Sequence, residues 1–186
     1  MTGLAIAGAF DIIALVVALG GALKLVRPLP TEQALQSVGL PHRRGAALWL
    51  GATELVLGSA AFVFGGRVLA LALGIAYTGF GVFVAVAMRQ DGNSRCGCFG
   101  RADTPPTMIH LILNVVSAGV AVAAFTYPVP SLEVIISEQP AWGLPYLGFV
   151  LLGTYLVYII DTALPEVLDA GRGVRPADPG PVGSRG

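Results

Sequence analysis

The chain holds two cysteines, Cys96 and Cys98, separated by a single glycine. They sit in a polar stretch with Arg95 and Arg101 on either side. Neighbouring cations favour the thiolate, the form that attacks disulfides, although Asp91 and Asp103 in the same stretch blunt that effect. Gly97 lets the backbone fold tightly enough for the sulfurs to approach. A disulfide across one intervening residue closes a small, strained ring, and strained bridges exchange readily. Thiol–disulfide exchange therefore suits this pair better than structural cross-linking. Two other readings stay open, inert loop thiols and half of a metal site. A structural zinc takes four ligands, and only His42 and His110 could join the pair, with His42 on a different connection. No complete metal site is expected.

Ionisable residues inside apolar stretches form the second group. Glu54 falls near the middle of a long apolar run, where a charge is costly and normally faces a partner inside the bundle. Lys24, at the end of the preceding apolar run, is the expected partner. Asp11 has no cation in register and is expected to hold a proton or reach water. His110 and Asn114 lie four apart, on one face of a helix, just after the cysteine stretch. His110 could serve as a base toward Cys96 or Cys98, or hydrogen-bond at a helix start. For Lys24, Glu54, His110 and Asn114 alike, polar adhesion between helices is an equally simple role. Asp161, Trp49, Trp142, Tyr146 and Tyr158 fall near the ends of apolar runs and read as interfacial residues without chemistry.

The elements that must position these residues follow from composition. Of 186 residues, 55% are hydrophobic and 12% charged, with a mean hydropathy of +0.77. A soluble domain carries roughly 25% charged residues, so this chain cannot cover a water-facing surface. A helix of about 20 apolar residues crosses a bilayer core of about 30 Å. Five such runs are present, over residues 4–25, 46–64, 68–87, 107–125 and 143–160. The predicted fold is all-α, a multi-pass membrane bundle of about five transmembrane helices. No basic n-region precedes the first run, so it reads as a retained span rather than a cleaved signal. Thr31 is expected to cap a short surface helix ended by Gly39 and Pro41. Gly65 and Gly66 make the turn of an antiparallel hairpin. Small residues about four apart, such as Ala47 with Gly51 and Gly74 with Thr78, would let helix backbones approach closely. Residues 165–186, rich in Pro, Gly and Arg, read as a disordered tail.

Basic residues set the expected orientation, because loops rich in Lys and Arg stay on the cytoplasmic side. One side would hold Arg67 alone, and the other Lys24 together with the nine remaining arginines. That bias predicts a cell-membrane protein with the N-terminus outside, and the C-terminus and cysteine loop in the cytoplasm. A formal net charge of zero gives no basis for nucleic-acid binding.

Ala22-Leu23-Lys24-Leu25 with Pro28, Leu50-Gly51-Ala52-Thr53-Glu54-Leu55, and Cys96-Gly97-Cys98-Phe99-Gly100 ahead of an Asn-bearing span together resemble the MauE-type redox-associated membrane proteins of the DoxX-like group. The resemblance covers residues 4–125 and is most specific in the Cys-Gly-Cys-Phe-Gly motif. It implies a four-helix core over residues 1–125; the connection and fifth helix over 126–164 lie beyond that core, the connection extracytoplasmic by the charge bias. It also implies a protein tied to disulfide formation or thiol redox, with Cys96 and Cys98 as the redox pair and Lys24 and Glu54 as characteristic intramembrane polar positions.

The expected function is a membrane thiol–disulfide redox protein, a possible oxidoreductase, that assists maturation of, or electron supply to, another protein. A membrane or thioredoxin-like protein would be its partner. No residue set names a cofactor, but one dithiol cannot carry a complete relay across a membrane, and a quinone is one candidate to complete it. The alternative is a non-enzymatic accessory subunit of a larger transport or respiratory membrane complex.

Overall fold

The computed structural model describes residues 2–40, 45–89 and 107–163. They are helical, with no strand among them. In chain order the elements are α1 (Thr2–Val26), α2 (Leu29–Ser37), α3 (Ala46–Phe64), α4 (Arg67–Arg89), α5 (Met108–Thr126), α6 (Leu132–Glu138), a 3₁₀ turn (Pro140–Gly143) and α7 (Leu144–Thr162). Five of them, α1, α3, α4, α5 and α7, are long and apolar enough to cross a membrane. The protein is thus a multi-pass helical bundle. Many large apolar side chains point outward, among them Val56, Val68, Ile75, Val115, Leu151 and Tyr155. In a bilayer these faces meet lipid rather than water, and the helices satisfy their own backbone groups.

Between apolar helices in lipid, close packing replaces the hydrophobic drive, and glycine decides where backbones can meet. α1 is the central helix, packed against α3, α5 and α7. A Cβ on Gly21 would lie 2.5 Å from the Gly51 carbonyl oxygen and from the Leu55 amide nitrogen. One on Gly58 would lie 2.5 Å from the Ala18 amide nitrogen. No side chain fits at either position, so α1 and α3 touch backbone to backbone. Gly51 lies in this seam, with Ala47 buried one turn away. Gly74 faces Ala121 across the α4–α5 contact at ordinary packing distance, whereas Thr78 is exposed and hydrogen-bonds the Gly74 carbonyl.

Between α3 and α4 the chain turns at Gly65 and Gly66, both with positive φ. This turn docks on the connection after α5, where the Gly66 amide donates to the Val129 carbonyl at 3.0 Å. Val129 and Ile135 of that connection are buried, so α6 closes this end of the bundle. Both α6 and the 3₁₀ turn fall between the fourth and fifth apolar runs, where hydropathy predicts only a connection.

α2 also departs from expectation. It begins at Leu29 behind Pro28, and Thr31 is a buried residue within its first turn rather than its cap. Pro30 explains the earlier start, because proline's fixed φ and missing N–H suit the first helical turn. The tail at 165–186 lies outside the described residues.

Candidate functional site

The α1–α3 seam places the first polar pair. Gly21 and Lys24 lie one turn apart on α1, as do Gly51 and Glu54 on α3, so close approach at the glycines brings the two long side chains together. Lys24 Nζ donates to Glu54 Oε2 at 2.6 Å, with both residues buried. The Phe80 ring of α4 lies 5.8 Å from the ammonium, within reach of a cation–π attraction. Phe80 in turn meets Tyr77 edge to face. The Tyr77 hydroxyl donates to the Ile13 carbonyl at 2.7 Å, tying α4 to α1. Sequence reasoning did not single out Tyr77; an aromatic in the middle of a span has no distinguishing mark.

α5 supplies the second pair. The Thr107 amide donates to His110 Nδ1 at 3.2 Å, and the Thr107 hydroxyl lies 2.7 Å from the same nitrogen. His110 thus closes the first turn of its helix, the second of the two roles its position allowed. Its other nitrogen, Nε2, lies 3.5 Å from Asp161 Oδ1 of α7. Asp161 is therefore not an interfacial residue. Its side chain is 12% exposed and turned into the bundle, because its turn of α7 packs inward, with Thr162 beside it also buried. Asn114 Nδ2 donates to the His110 carbonyl at 2.7 Å.

A third pair lies toward the opposite end. The Tyr146 hydroxyl of α7 donates to Asp11 Oδ2 of α1 at 2.5 Å. This corrects one expectation, since Tyr146 is not a plain interfacial anchor, and it gives Asp11, 1% exposed, a phenol as its partner. Trp49, by contrast, is 77% exposed on the outer face of α3, as an interfacial anchor should be.

Lys24, Glu54, His110, Asn114 and Asp161 line one cavity of about 430 Å³. The volume falls in the range of small-molecule sites, about 300–1,000 Å³. The rest of its wall is mainly apolar and aromatic, including Leu57, Phe80, Phe83, Leu113 and Val157. α2 contributes Thr31, Ala34 and Leu35. The cavity occupies the end of the bundle where α1, α4 and α7 finish and α3 and α5 begin. Residues 90–106, with Cys96 and Cys98, connect α4 to α5 at that same end and lie outside the described residues. Among the described residues, no cluster of three or more His, Cys, Asp and Glu could hold a metal ion.

A family model, methylamine utilisation protein MauE, matches residues 2–127. The chain belongs to the MauE family. Among curated proteins and among solved structures, none matches the chain. The MauE match takes in α1 to α5 and ends before α6 and α7. Two of the three buried polar pairs nevertheless need α7, which supplies Tyr146 and Asp161.

Proposed function

We propose that this MauE-family membrane protein is a thiol–disulfide redox factor that works through Cys96 and Cys98. The family name ties it to methylamine utilisation, and the reading here is that it assists maturation of another protein, or supplies it with electrons, in that setting. One observation carries the proposal. The chain's two cysteines, one residue apart, lie on the connection that enters the bundle at its polar, cavity-bearing end. The exchange balances as two thiols on one partner becoming a disulfide while a disulfide on the other becomes two thiols. The partner is a thioredoxin-like or membrane-held protein. Lys24, Glu54 and His110 are positioning residues in this reading, joining α1 to α3 and α5 to α7 at that end of the bundle.

Replacing both cysteines, Cys96→Ser with Cys98→Ser, should abolish maturation of the dependent protein while leaving membrane insertion and abundance unchanged. Undiminished activity in that double variant sinks the redox reading. It would favour a non-enzymatic accessory subunit of a larger membrane complex, for which the wide apolar faces of α3, α4 and α7 offer surface.

A further inference from the structure

Neither polar pair at the cavity uses all of its hydrogen-bonding capacity. A backbone amide can only donate, so the bond from Thr107 makes His110 Nδ1 an acceptor and leaves the ring proton on Nε2. That N–H faces Asp161 Oδ1 at 3.5 Å, beyond the distance of a good hydrogen bond. Among the described residues, Asp161 Oδ1 and Glu54 Oε1 are both buried without a hydrogen-bond partner. Lys24 carries three N–H donors, one of them on Glu54. The polar end of the cavity therefore sets the Lys24 and His110 donors beside two carboxyl oxygens that lack a hydrogen bond among the described residues. Buried polar atoms are nearly always satisfied, so the deficit points to a ligand. Its head must both accept and donate hydrogen bonds, and its body must be flat or apolar enough for Phe80, Phe83, Leu57 and Leu113.

We infer that this cavity binds a lipid-soluble quinone and its quinol. The oxidised ring offers carbonyl oxygens to Lys24 Nζ and His110 Nε2–H. The reduced ring offers hydroxyl protons to Glu54 Oε1 and Asp161 Oδ1. A phospholipid phosphate fits less well, because the polar end sets two carboxyl groups against one ammonium. An acyl chain alone leaves both carboxyl oxygens unsatisfied. The electron role rests on the redox reading proposed above. Two thiols, Cys96 and Cys98, lose two electrons and two protons to form one S–S bond, and the quinone gains both to form two O–H bonds. Binding itself does not require the cysteines.

The full chain in phosphatidylcholine nanodiscs, titrated with a radiolabelled benzoquinone bearing a decyl tail, tests the site. Gly79 lines the cavity where α4 is exposed, and a Cβ added there meets nothing within 4 Å. Gly79→Leu should therefore fold and narrow the open side of the cavity. We expect saturable binding in the native chain, weakened at least tenfold by Asp161→Asn, weakened less by Gly79→Leu, and unchanged in the Cys96→Ser, Cys98→Ser variant. Binding that never saturates, or that Asp161→Asn leaves intact, overturns the assignment, as does a tightly held phospholipid that the quinone cannot displace. Normal quinone binding alongside full maturation activity in the double-serine variant would sink the redox reading alone and leave the site standing.

Discussion

At the scale of single residues, Lys24 and Glu54 are the clearest case of mutual dependence. Each is 6% exposed or less, and each is the other's hydrogen-bond partner at 2.6 Å. Removing one partner of a buried pair strands the other's polar group, at about 3–5 kcal/mol, whereas replacing both by apolar residues of similar size is often neutral. Lys24→Met should therefore destabilise the bundle by about 3 kcal/mol or more, and Lys24→Met combined with Glu54→Met should recover most of that loss. Reversible unfolding in mixed micelles measures both variants in one double-mutant cycle. Strictly additive losses would show that the pair does not act as a unit.

Tyr146 gives a second test at this scale. Tyr146→Phe keeps the ring and removes the donor to Asp11 Oδ2. A buried acceptor left without its donor costs about 1–3 kcal/mol, and the same unfolding measurement should report a loss of that size. Stability equal to that of the native chain would mean that Asp11 has another donor to turn to. Lys24 and Glu54 were legible in the sequence, because a charge in an apolar run stands out. Asp161 and Tyr146 were not, because a polar residue near a span end looks the same whether it faces headgroups or a neighbouring helix.

Among the elements, helix contacts differ in how much space they leave, and glycine substitutions separate them. At Gly58 a Cβ would meet backbone of α1, which cannot move without the whole helix moving. At Gly74 it would sit 3.5 Å from the Ala121 Cβ, an ordinary contact. Gly58→Ala should therefore part α1 from α3, destabilise the bundle by about 1–3 kcal/mol and disturb the Lys24–Glu54 pair. Gly74→Ala should be neutral or slightly stabilising, since alanine is the better helix former by about 1 kcal/mol. Cross-linking between cysteines introduced on α1 and α3, along with unfolding, distinguishes the two. Equal effects would mean that the α1–α3 seam is not backbone-tight. Gly51 was marked in the sequence as one of a small-residue pair. Gly21 and Gly58 were not, because a chain with 25 glycines supplies many such spacings and only the fold selects among them.

For the molecule as a whole, orientation in the membrane is the testable quantity. The bundle places the ends of α1, α4 and α7 together, and with them Lys24, Arg27 and Arg89. By the positive-inside rule that end should face the cytoplasm. A membrane-impermeant maleimide should then leave Cys96 and Cys98 unlabelled in intact cells and label them in opened membranes. Labelling of intact cells only after prior reduction would place an oxidised pair outside. It would overturn this orientation and strengthen a role in maturing extracytoplasmic proteins.

The sequence by itself determined the fold class, the five spans to within a few residues, and the family. Each of these is written locally, in the length of an apolar run or the order of a short motif. The tertiary structure alone decided which polar residues meet. Lys24 and Glu54 are 30 positions apart, and Asp11 and Tyr146 are 135 apart. Their encounter depends on which helix faces turn inward, and hydropathy averages that information away, because lipid and bundle interior are equally apolar.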